Sequence, residues 1–205
     1  MSQGASPVRE MTTAALLASL MAGAALVAIP VGPVPVTLQV FVVVLAALLL
    51  RPVWAGTAMV VYLLLGAIGV PVFSSGTGGL GMLLGPTGGY LWGFLFGAVL
   101  GSGARIALQD RAIPAPLSDA AGAAATIVTI YALGVSQLLM VTNMGADGLT
   151  FMQALIAGVV PFVGIDVAKA VVAVVVAEAL RRTGLLPGVL TRRQTVAVTD
   201  PPTAV

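Results

Sequence analysis

The sequence predicts an all-α membrane protein, a bundle of six transmembrane helices with both termini in the cytoplasm. Three observations predict it. Of the 205 residues, 59% are hydrophobic and only 8% are charged, and the mean hydropathy is +1.11; a soluble domain carries about 25% charged residues. Charges, prolines and polar clusters cut the chain into six apolar stretches, most of them close to the roughly 20 residues that a helix needs to cross a bilayer. The arginines then fall on one side of a six-span path: Arg9 before the first stretch, Arg51 between the second and third, Arg105 and Arg111 between the fourth and fifth, and Arg181, Arg182, Arg192 and Arg193 after the last. Loops rich in arginine stay in the cytoplasm.

Taken in order, residues 1–10 form a cytoplasmic N-terminal segment, 11–182 the membrane domain and 183–205 a polar cytoplasmic tail, expected to be mobile. The first stretch is Met11–Ile29. Reading it as a cleaved signal peptide with Ala22-Gly23-Ala24 as the processing site fits less well, because the run is long for an apolar signal region and its removal undoes the charge pattern. The second, Thr37–Leu50, is short, so it either extends through Val34–Val36 or spans only part of the bilayer. The others are Val53–Val70, Thr87–Ala104, Asp119–Val141 and Phe162–Leu180. A short helix over Leu149–Val160 precedes the last stretch, and Pro161 breaks the two apart.

Two stripes of small residues recur every fourth position. Gly81, Gly85, Gly89, Gly93, Gly97 and Gly101 run into the fourth stretch, and Ala14, Ala18 and Ala22 line the first, with Ala15, Ser19 and Gly23 beside them. Such stripes let helix backbones approach closely. Internal packing is the expectation for the glycines; the alanines fit either internal packing or a docked partner.

Several chemistries drop out. The chain has no cysteine and no histidine, which removes imidazole and thiolate metal sites and Ser-His or Cys-His catalysis. Gly76-Thr77-Gly78-Gly79-Leu80-Gly81 has G-x-G-x-x-G spacing but comes after an apolar span rather than a strand, and no acidic residue lies about 20 positions on. The single lysine, Lys169, comes after Ala168, so there is no P-loop. The arginines are dispersed between helices rather than gathered in one patch, which argues against nucleic acid. No catalytic residue, metal or cofactor is assigned.

What remains is a set of polar side chains at one depth. Asp166 and Lys169 lie three apart in an apolar segment and so share a helix face; ionisable residues inside a membrane are costly and mark functional sites. At 1.5 Å rise per residue, Asp166, Lys169, Tyr90, Gln39 and Thr37 all stand between about 18 and 22 Å above the arginine that closes their helix. That level is the outer half of a hydrocarbon core roughly 30 Å thick. Above it lie the loops Pro30–Pro35 and Ser74–Gly85, two candidate lids over a pocket open to the outside. Purely structural readings compete: a self-satisfied Asp166/Lys169 pair, Tyr90 as an interfacial belt residue, and Thr37 with Gln39 as a helix cap.

The motifs resemble a known family. The stretch Ile29-Pro30 with Val34-Pro35-Val36-Thr37-Leu38-Gln39, the run Tyr62-Leu63-Leu64-Leu65-Gly66-Ala67-Ile68-Gly69-Val70-Pro71-Val72-Phe73, the run Leu84-Gly85-Pro86-Thr87-Gly88-Gly89-Tyr90-Leu91-Trp92-Gly93-Phe94, and Pro161-Phe162-Val163-Gly164-Ile165-Asp166-Val167-Ala168-Lys169-Ala170 together resemble the BioY family, the biotin-specific substrate-binding (S) components of energy-coupling factor (ECF) transporters. Val163 and Ile165 depart from the family's usual proline before that glycine and aspartate after it. The resemblance implies a six-helix S-component fold and a high-affinity outward-facing biotin site that includes Asp166 and Lys169. It also implies a transmembrane T component docked on Ala14, Ala18 and Ala22, two ABC-type ATPase subunits, the cytoplasmic membrane of a prokaryote, and transport by toppling of the bundle. ATP is then used only by the partners.

Biotin's chemistry suits these residues. Asp166 accepts from a ureido N–H; Lys169 donates either to the ureido carbonyl or to the valerate carboxylate; Phe73 and Tyr90 contact the apolar ring and chain. With Thr37, Gln39 and Gly88 these make the candidate site. Another small vitamin, a stand-alone carrier, homo-oligomerisation, and an intramembrane enzyme using Asp166 as acid/base are the alternatives.

Overall fold

The computed structural model describes residues 7–29, 35–144 and 148–183. Its elements, in chain order, are α1 (Pro7–Leu26), the short strands β1 (Ala28–Ile29) and β2 (Val36–Thr37), α2 (Gln39–Leu49), α3 (Pro52–Ala67), a 3₁₀ turn at Ser74–Gly76, α4 (Leu80–Leu84), α5 (Gly88–Asp110), α6 (Ala115–Thr142), α7 (Phe151–Gly158) and α8 (Val160–Arg182). The strands pair antiparallel, Ala28 with Thr37 and Ile29 with Val36. Helices α5, α6 and α8 are long and apolar enough to cross a membrane; α2 and α3 are shorter apolar helices. The Pro30–Val34 part of one candidate lid, and the tail beyond Thr183, lie outside the described residues.

Helix α2 is the hub. It is apolar all round, and every residue but Phe41 is buried, the signature of a helix enclosed by others. Helices α1, α3, α5, α6 and α8 pack around it. Its 11 residues reach only about 16 Å, so the short second stretch is a partial span entered through β2. It stops at Leu50, and Pro52 opens α3 in the first turn, where a missing N–H costs nothing.

The glycine stripe packs inside, between α5 and α6. A Cβ on Gly93 would stand 2.7 Å from the Ile130 Cα, and one on Gly97 2.9 Å from the Thr126 carbonyl oxygen. Gly89 and Gly101 face Leu133 and Thr126 in the same way, whereas Gly81 meets nothing and lies outside the zipper. Pro161 sits in the first turn of α8, and the helical path breaks at Val159, as expected. Helix α7 opens on a Thr150–Gln153 capping box.

Apart from Asp166–Lys169, the ion pairs of the described residues gather where α1 and α6 begin and α5 and α8 end. Glu10, fully buried, takes both Arg51 Nε (2.9 Å) and Arg51 Nη2 (3.1 Å), and this hydrogen bond and charge raise the Arg51 pKa above its ordinary value. Arg181 Nη2 lies 2.5 Å from Asp119 Oδ2, with the buried Arg105 electrostatically coupled to the same carboxylate. Ser102 Oγ donates to the Leu50 carbonyl at 2.6 Å, joining the two groups.

One expectation is corrected. Ala14 and Ala18 are 2% and 4% exposed and lie in the core with Leu17 and Met21, and Ala22 is half-buried, so this row is not a free docking face. The reason is helical geometry: two small-residue rows run side by side on α1, and the one flanked by Leu17 and Met21 turns inward against α2 and α3. The exposed row is Ala15, Ser19 and Gly23. Ala18→Trp is therefore expected to overpack the core and destabilise the bundle by about 1–3 kcal/mol, while Ala15→Trp leaves it intact. Thermal unfolding in detergent checks both; equal melting of the two variants would contradict this packing.

Candidate binding site

The polar side chains converge on one cavity, at the opposite end of the helices from the arginine clusters. Its floor is Asp166 and Lys169 on α8, whose side chains are 8% and 10% exposed. Lys169 Nζ donates to Asp166 Oδ1 at 2.6 Å and to the main-chain oxygen of Thr37 at 2.8 Å. The hydroxyl of Tyr131, on α6, donates to Asp166 Oδ2 at 2.7 Å. Both carboxylate oxygens are thus held from opposite sides, and the ammonium ties α8 to β2.

Thr37 and Gln39 form the next wall. Thr37 Oγ1 donates to Gln39 Oε1 at 2.9 Å, and Gln39 Nε2 donates to the buried Tyr62 hydroxyl on α3. The Tyr62 ring meets Phe73 edge-on, with centroids 5.6 Å apart and planes at 72°; Gly66 leaves the room that the Phe73 ring occupies. Tyr90 on α5 is buried and donates to the Gly158 carbonyl at 2.9 Å, so it braces α7 rather than lying in an interfacial belt. Thr37, Gln39, Phe73, Tyr90, Asp166 and Lys169 all line the cavity.

Gly88 does not line it. A Cβ there would collide with the Leu83 carbonyl and stand 2.6 Å from Gln137 Nε2. Gln137 in turn donates to the Leu83 and Gly85 carbonyls, both at 2.8 Å, so Gly88 belongs to the joint that seats the Ser74–Gly85 loop on α6. Tyr131 and Tyr62 were missed as site residues from the sequence. Counted from Asp119, where the fifth apolar stretch begins, Tyr131 stands about 18 Å along its helix. The cavity is about 60 Å³, below the roughly 300–1,000 Å³ of ligand pockets.

The comparisons fit this geometry. A BioY family model matches residues 1–185. The chain belongs to the BioY family. It is 38% identical over 175 residues to the biotin transporter BioY of Thermotoga maritima, covering 85% of this chain and 97% of that protein. It is 36% identical over 173 residues to the probable biotin transporter BioY of Pyrococcus horikoshii, covering 84% and 96%. Among solved structures it is similar to the S component for biotin from an ECF-type ABC transporter, with a TM-score of 0.77, 26% identity, and 89% and 95% of the two chains covered. BioY proteins are transporters rather than enzymes, which removes the reading of Asp166 as an intramembrane acid/base.

The pair can be tested as structure. Removing one member of a buried ion pair costs roughly 3–5 kcal/mol, so Lys169→Met is expected to lower the melting temperature in detergent well below that of Tyr131→Phe, which removes one hydrogen bond to a charged group, about 1.5–3 kcal/mol. A Lys169→Met protein as stable as the parent would mean that the pair is not buried as described.

Proposed function

We propose that this chain captures biotin at an outward-facing site and delivers it as the S component of an energy-coupling factor transporter. The carrying observation is the cavity floor, where one carboxylate and one ammonium are held among apolar walls in a BioY-family chain. Biotin's ureido ring presents two N–H donors and one carbonyl acceptor. Asp166 retains free lone pairs for an N–H, Gln39 in the same lining offers Oε1 as a second acceptor, and Lys169 supplies a donor. Phe73, Tyr90 and Phe94 offer apolar surface to the fused ring and chain.

Biotin is larger than the cavity, so its binding requires the walls to part. The Met82 side chain on the Ser74–Gly85 loop, part of the cavity lining, is the movable member. In this reading the arginine-bearing ends face the cytoplasm by the positive-inside rule. The six stretches then place both termini inside the cytoplasmic membrane of a prokaryote, and the cavity outside. A T component and two ABC-type ATPase subunits supply the energy, since the chain has no P-loop of its own. With Ala14 and Ala18 in the core, the small face of α1 left for close helix approach is Ala15, Ser19 and Gly23.

Calorimetry of the purified protein in detergent is expected to show one biotin per chain, with binding lost in Asp166→Asn. Riboflavin or thiamine binding without biotin binding would reassign the substrate. Uptake into proteoliposomes of this chain alone would replace the S-component reading by that of a stand-alone carrier.

A further inference from the structure

We infer that the cavity recognises the ring end of its ligand and does not require the negative charge of the acid end, so that it also binds ligands whose acid is capped as an amide. This rests on the biotin reading above. The chain has nine lysines and arginines, and Lys169 is the only lysine. The arginines of the described residues stand at the far ends of the helices, leaving Lys169 as the one cation of the lining, opposed there by Asp166. The formal charge of the lining is therefore zero. The sequence of residues 30–34 and 145–147, outside the described residues, contains no lysine or arginine.

Lys169 is also committed. Two of its three N–H groups are used, by Asp166 Oδ1 at 2.6 Å and the Thr37 oxygen at 2.8 Å. Turning it to a ligand carboxylate would strip Asp166 of its counter-charge inside apolar walls, the arrangement that buried pairs resist most strongly. Leaving it in place and seating a second carboxylate nearby gives a net negative cavity. A neutral carbonyl can instead take the third N–H without disturbing either bond. The ring end thus belongs at the floor, and Lys169 serves its carbonyl.

The remaining donors in the lining treat acid and amide alike. Ser74 and Thr87 are half-buried cavity residues whose hydroxyls bond no other group among the described residues. Each can donate to a carboxylate oxygen or an amide oxygen. Thr87 stands at the N-terminal end of α5 without a side-chain capping bond, and a helix end offers only a partial positive charge.

The test is calorimetry on the full chain in detergent with biotin, its primary amide and pentanoic acid. The amide is expected to bind within about tenfold of biotin, and pentanoic acid at millimolar concentration is expected neither to bind nor to compete. An amide weaker by more than about tenfold, or competition by pentanoic acid, overturns the inference while leaving biotin as the substrate. Absence of biotin binding would instead remove the functional reading itself.

Discussion

A carboxylate and an ammonium placed inside an apolar bundle have no water to fall back on, and much of the architecture derives from keeping them partnered. Asp166 needs a donor at each oxygen and obtains Lys169 from its own helix and Tyr131 from α6. Lys169 needs a second acceptor and finds the Thr37 oxygen. These three bonds connect α8, α6 and β2, elements that are otherwise far apart in the chain. The charges therefore fix where the strand pair and the start of α2 sit.

Helix α2 turns that local requirement into a cavity. Being short and enclosed, it begins partway into the bundle, and the space above its first turn is where Thr37 and Gln39 point. Tyr62 and Phe73 close that space from α3 and the loop after it, with glycine at position 66 admitting the Phe73 ring. The opposite helix ends are tied by Glu10–Arg51 and Asp119–Arg181. Polar ties at both ends and an apolar middle suit a protein whose surroundings satisfy no backbone group.

Much of this could be read from the sequence. The major helices arise from apolar runs cut by prolines and arginines, and the depth count brought Asp166, Lys169, Tyr90, Gln39 and Thr37 to one level, where the structure gathers them around one cavity. The failures have identifiable reasons. Which of two adjacent small rows on α1 faces inward depends on tertiary packing against α2 and α3, which four-residue spacing cannot reveal, so the spacing alone leaves Ala14 and Ala18 open to either side. Gly88 lies in a conspicuous motif, yet its role is to let Leu83 and Gln137 close in behind the wall. Tyr131 was overlooked because it stands in an apolar run without a neighbouring motif. Helix α6 begins before Asp119 because that carboxylate pairs with Arg181 across the helix interface instead of ending its helix, and α5 runs past Ala104 with Arg105 buried beside the same carboxylate.

The glycine contact between α5 and α6 divides the cavity into walls of unequal adaptability. Backbone meets backbone at Gly93 and Gly97, with no side chain to rotate, so these two helices behave as a single slab. Tyr90 and Tyr131 stand on that slab and offer a fixed template. Lys169, Met82 and Thr37 line the cavity from α8, the Ser74–Gly85 loop and β2, and Lys169 meets Thr37 through its long side chain. A change of preferred ligand over evolutionary time would thus be written on the facing side, while the slab would conserve the position of its two hydroxyls.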